Sequence, residues 1–186
     1  SDREFRVYRA TRNLAVMQQH DERVRRNCLS DLLSFEAGES WQTRDAFLSS
    51  ALSRIEGGSI AYTVDIDGRL AHVGWMAYGT KSYMTEVGQS MTFPPGSVAL
   101  YDFYSHPDFR GRGLYRATIS HMLLDVFANE ANEYAYISVL ADNAPSRHVI
   151  ETMGFEYQGS FFRKCRFGNE HKWASPAFTV PEADRA

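Results

Sequence analysis

His106-Pro107-Asp108-Phe109-Arg110-Gly111-Arg112-Gly113-Leu114-Tyr115 leads from a segment that reads as a strand, Val98 to Ser105, into one that reads as a helix, Gly113 to Asn129. No other stretch constrains the chain as much. Gly111 and Gly113 remove side chains where the backbone must turn tightly and approach something closely. The helix that follows carries an apolar stripe of Tyr115, Ile119, Met122, Leu123, Val126 and Phe127, so one face is committed to a core. Its first N–H groups and the positive end of its dipole form a site for phosphate. An isolated Gly-x-Gly would equally suit a solvated turn with solvated arginines. The strand before it, the helix after it and a second block downstream favour the binding reading.

The remaining pattern is that of one compact α/β unit spanning residues 1–186. Phe5 to Arg9 alternates as a strand. Asp21 to Phe35 and Arg44 to Ile55 show helical spacing, the second stopped by Gly57-Gly58. Ile60 to Ile66 and Leu70 to Ala77 flank Asp67-Gly68 as a hairpin. Residues 79–96 read as an irregular connection or an additional short strand pair. Tyr134 to Leu140 is a further strand, Ala144 to Met153 a short helix closed by Gly154, and Phe155 to Phe162 the start of a last hairpin. This order predicts a mixed sheet with helices on its faces.

Composition excludes several classes. A net charge of −3 and a pI near 6.1 supply no basic field for nucleic acid or an anionic membrane. No apolar run approaches the roughly 20 residues of a membrane span, and no basic-then-apolar leader opens the chain. Cys28 and Cys165 lack CxxC or Cys/His metal spacing, so both read as thiols of a reducing compartment, the expected location is cytoplasmic, and no metal is expected.

The residues Arg110, Gly111, Arg112, Gly113, Leu114 and Tyr115 resemble the coenzyme A-binding signature of the GNAT superfamily, Arg/Gln-x-x-Gly-x-Gly/Ala. The block from Asn143 and Ser146 through Ile150 to Gly154-Phe155 is similar to that family's following helix. The resemblance implies a GNAT-like acyl-CoA N-acyltransferase fold, with a central, twisted, mostly antiparallel sheet, helices on both faces, and strands 98–105 and 134–140 splayed apart. It implies that Phe103, Tyr104 and Ser105 pair with the pantetheine arm as an added strand would. The loop from Arg110 to Tyr115 would hold the pyrophosphate, with Asn143 and Ser146 flanking from the other side. Tyr115 departs from the signature, standing where a small residue is usual.

Acyl transfer to an amine needs a base for the ammonium and an acid for the departing thiolate. The family's usual tyrosine acid falls at Ile150 here. Asp102, an acid within an apolar strand, is the first candidate base, on the expectation that burial raises its pKa. Tyr104 and His106 are further candidates for proton transfer, against readings as a core aromatic and a strand-end cap. Trp75, Tyr83 and Glu86 are candidates for the acceptor pocket.

The resemblance thus implies direct transfer of an acyl group, first of all acetyl from acetyl-CoA, to a small-molecule amine such as an amino sugar, sugar nucleotide, amino acid or polyamine. Two alternatives stay open: a long-chain N-acyl amino acid synthase using acyl-CoA or acyl carrier protein, and a non-catalytic coenzyme A-binding module. Sheet edges and exposed aromatics leave a homodimer open.

Overall fold

The structure, a computed structural model, describes residues 2–178; Ser1 and residues 179–186, part of the expected 1–186 unit, lie outside them. Eight strands form one sheet in the order β10-β9-β1-β8-β7-β4-β3-β2. They are β1 (Asp2–Thr11), β2 (Val24–Arg26), β3 (Ile60–Ile66), β4 (Arg69–Tyr78), β7 (Ser97–Ser105), β8 (Tyr134–Leu140), β9 (Glu156–Arg166) and β10 (Asn169–Ala174). A separate hairpin consists of β5 (Lys81–Met84) and β6 (Gln89–Thr92). Every pairing in the large sheet is antiparallel except β7 with β8.

The helices are α1 (Arg12–Ala15), α2 (Leu29–Leu33), α3 (Arg44–Glu56), α4 (Leu114–Ala128) and α5 (Ala144–Met153). The stripe of α4 packs with Leu100, Ile137 and Val139 on one face of the sheet. On the other face, α2 and α3 join Trp75, Val73 and Leu70 over one half. The β5–β6 hairpin covers the other half with Met84, Val87, Met91 and Phe93 against Val7 and Tyr136. Helices therefore lie on both faces, and α3 and the hairpin leave the middle of the second face between them.

Local signals placed most elements well. Asp67 and Gly68 both take positive φ at the β3–β4 turn, the geometry of a tight hairpin. Thr43 caps α3 by accepting from the Ala46 N–H at 3.2 Å. Of the two readings of residues 79–96, the strand pair is observed. Neither Cys28 nor Cys165 is in a disulfide.

The helix expected from Asp21 to Phe35 is not one helix. Asn27 turns the chain at φ 50°, and its side-chain oxygen accepts from the Ala61 N–H at 2.9 Å. Val24 consequently enters the sheet opposite Val64. Only Leu29–Leu33 remain helical, held by the buried Asp31, which accepts from Arg25 and, at 2.6 Å, from the Thr63 hydroxyl.

Candidate active site

β7 and β8 pair only from Ser97↔Tyr134 to Leu100↔Ile137, although both strands continue. Beyond that point the β7 edge facing β8 is open, which is the splay expected. A cleft of about 430 Å³ occupies the gap. Asn143, Ser146, Tyr115 and Phe103 line it on the side of α4 and α5; Tyr83, Glu86, Arg54 and Tyr136 line it on the side of α3 and the hairpin.

A bulge in β7 controls what faces this cleft. Asp102 adopts φ 51°, a conformation uncommon outside glycine but tolerated by aspartate. The β4 register shifts across it, from Trp75↔Tyr101 to Val73↔Tyr104. The simple alternation of a strand, which would put Leu100, Asp102 and Tyr104 on one face, is therefore broken. Leu100 and Phe103 both pack toward α4, while Tyr101 and Tyr104 pack toward α3. Gly74 makes this possible, because a Cβ there would lie 2.5 Å from the Phe103 ring.

Asp102 is not buried as the sequence reading required. Its side chain is 53% exposed and paired with Arg54. Arg54 in turn lies over the rings of Trp75 and Tyr101, at 5.1 and 5.5 Å, a geometry that favours a cation. Both residues line the cleft and also a second space of about 270 Å³ beneath α3. The carboxylate therefore stands where the two spaces meet.

The other proton-transfer candidates lie elsewhere. Tyr104 lines the second space with Gln42 and Phe47 and not the cleft, and burial raises its pKa. His106 is buried and accepts from the Asp108 N–H at 3.2 Å. It caps the turn at Pro107, and Gly38 packs on its ring so closely that a Cβ would come within 2.9 Å. Trp75 is fully buried beneath Arg54, so it supports the second space as a core residue. Tyr83, 64% exposed, and Glu86 reach the cleft from the hairpin.

At the other end, Gly111 and Gly113 take φ 75° and 71°, and a Cβ on either would meet nothing within 4 Å. Their conformation, rather than crowding, requires glycine. No side chain caps α4, so its first N–H groups are left for a ligand. Leu114 is buried in the core, which limits its contribution to the backbone. Arg110 is engaged: it donates to the Ser105 carbonyl at 3.2 Å and to Glu39 at 2.7 Å. That carbonyl is thus already bonded, which leaves Tyr101 to Phe103 as the freer part of the strand edge. Arg112 lies over Phe109 at 5.1 Å and is otherwise exposed.

Tyr115 fills the joint between the two helices. Its ring meets Phe103 edge-on at 4.9 Å, its hydroxyl reaches Ser146, and burial pushes its pKa upward. The bulky residue therefore turns inward, away from the glycine loop. Asn143 accepts from the Ser146 N–H at 3.3 Å as the cap of α5. Arg54 and Tyr136 escaped the sequence reading. One is an arginine among helix-surface residues and the other a tyrosine in an apolar strand, and neither pattern marks a site.

Such a sheet, with its two central parallel strands parted beside a glycine-led helix, defines the class of acyl-CoA N-acyltransferases. The family model for the acetyltransferase (GNAT) family matches residues 26–155, and the chain belongs to that family. A GNAT-family protein of Novosphingobium aromaticivorans superposes with a TM-score of 0.61 at 19% identity, over 87% of this chain and 63% of its own. An acetyltransferase from the GNAT family of Colwellia psychrerythraea does so with a TM-score of 0.62 at 16% identity, over 87% and 56%. A GCN5-related N-acetyltransferase of Sphaerobacter thermophilus gives 0.54 at 12%, over 92% and 51%. The chain thus spans less than two thirds of the length of each of these structures. No curated protein matches it in sequence. Among the described residues no helix is long and apolar enough to cross a membrane.

Proposed function

We propose that the chain is an N-acetyltransferase, folded as one domain and acting in the cytoplasm, that moves acetyl from acetyl-CoA directly to a small-molecule amine. The observation that carries this reading is the position of Asp102, on a bulge at the open β7 edge, between a donor side that begins at the uncapped α4 and an acceptor side under α3 and the hairpin.

The first N–H groups of α4 and the loop from Arg110 to Tyr115 receive the pyrophosphate. The free edge at Tyr101 to Phe103 pairs with the pantetheine amides, flanked by Asn143 and Ser146. Asp102 accepts the proton that the attacking ammonium must lose. The amine nitrogen then bonds to the thioester carbon, the carbon–sulfur bond breaks, and the thiolate takes a proton. Tyr115 supplies it: the phenol lines the cleft and carries its proton at neutral pH as an ordinary phenol does, and burial raises its pKa further. In this role it replaces Tyr104 and His106, whose side chains point elsewhere. The products are an amide and free coenzyme A.

Among the described residues lining the two spaces, Arg54 is the sole basic one, beside Asp102 and Glu86. Asp102 and Glu86 suit the cationic amine of an acceptor, and Arg54 offers a partner for an acidic group beside that amine, as in an amino acid. Thiol release from acetyl-CoA across an amine library, repeated with long-chain acyl donors, tests the reading. Turnover is expected with acetyl-CoA and an amino acid-like amine, and Tyr115→Phe is expected to slow it without weakening donor binding. Absence of thiol release with every amine tried would overturn the catalytic assignment.

A further inference from the structure

On the face of the sheet opposite α3, three ligating side chains converge. His20 follows α1, and His121 and Asp125 stand one turn apart on α4; their ligating atoms all lie within 4.8 Å of one another. The rings of His20 and His121 meet edge-on with centroids 4.3 Å apart. His121 Nε2 is 4.0 Å from Asp125 Oδ2, too long for a hydrogen bond. That spacing is close to the roughly 3.4 Å between two ligands at about 2.1 Å from a tetrahedral zinc.

The surroundings suit a metal site better than a simple polar cluster. Asp125 accepts from the Tyr62 hydroxyl at 2.8 Å, an outer bond that orients a ligating carboxylate. Tyr62 is itself fully buried, so this support is rigid. The His121 ring is largely buried, with 12% of its side chain exposed. Asp21 borders the same ring through its backbone. His20 is exposed, and its ring can swing to close the set while water completes the coordination.

We infer that His20, His121 and Asp125 bind one divalent transition metal ion, with zinc the best match to two imidazoles and a carboxylate. The ion would fasten the segment after α1 to α4. The spacing of these residues in sequence matches no metal motif, so the expectation of a metal-free chain could not register them.

The test uses the full, tag-free chain, stripped with chelator and titrated calorimetrically with zinc chloride, then with cobalt(II) for its tetrahedral absorption bands. One equivalent of zinc is expected to bind with a dissociation constant below about 100 μM. His20→Ala alters an exposed residue and will fold; it is expected to weaken binding at least about 10-fold. Tyr62→Phe, which removes only the outer hydrogen bond, is expected to weaken it by about 10-fold as well. No saturable binding, or binding equally tight in His20→Ala and His121→Ala, would overturn the site.

Discussion

Asp102 combines two properties that rarely coincide: a left-handed backbone and a carboxylate at the join of two ligand-sized spaces. The bulge turns it out of the strand alternation, and the Arg54 guanidinium pairs with it. Asp102→Asn preserves shape and removes the proton acceptor. Turnover is expected to fall by about 10²-fold or more while acetyl-CoA affinity, measured by calorimetry, stays within a few-fold; an unchanged rate would move the base elsewhere. Gly74 is the silent partner of this arrangement. Gly74→Ala puts a Cβ 2.5 Å from the Phe103 ring, and the expected cost is about 1–3 kcal/mol in urea unfolding, with activity lost as Phe103 moves the bulge.

At the scale of elements, α4 joins binding to the core. Its stripe is buried against the sheet, and its start is exposed through two glycines in left-handed conformation. Gly113→Val should strain φ by about 1–3 kcal/mol yet disturb no packing, because nothing lies within 4 Å of the new Cβ. The variant is expected to fold and to bind acetyl-CoA at least about 10-fold more weakly by calorimetry; normal affinity would remove the pyrophosphate from this loop. Residues of the β5–β6 hairpin and Arg54 of α3 line the cleft. Arg110 ties the glycine loop to Glu39 in the connection between α2 and α3, so the two ends of the site are braced against each other.

For the molecule as a whole, the fully buried His72 makes stability depend on pH. Its Nδ1 is 2.6 Å from the Ser105 hydroxyl, and Phe103 and Tyr115 enclose the ring. Burial lowers its pKa from 6.5 to about 3. The unfolded chain therefore takes up a proton below 6.5 that the folded chain refuses down to about 3. Stability from this group is complete above the unfolded value and is lost as pH falls, at about 1.4 kcal/mol per pH unit. Urea unfolding at successive pH values should show a shallower acid loss for His72→Gln than for the parent; parallel curves would show that His72 is protonated in the fold.

The glycine loop, the helix after it, the Asp67-Gly68 hairpin and the Asn143-capped α5 were legible in the sequence, because each depends on neighbours a few residues away. The donor side of the site came with them, since main-chain N–H groups at a helix start need only local geometry. Of the residues named for the acceptor pocket, Tyr83 and Glu86 line the cleft and Trp75 does not. The turn at Asn27, the bulge at Asp102, the inward ring of Tyr115 and the place of Arg54 each depend on a partner far along the chain: Ala61, Gly74, Ser146 and Trp75. Periodicity carries no record of such partners, so local chemistry determined the glycine loop and the uncapped helix start, and packing alone decided which side chains meet in the cleft beside them.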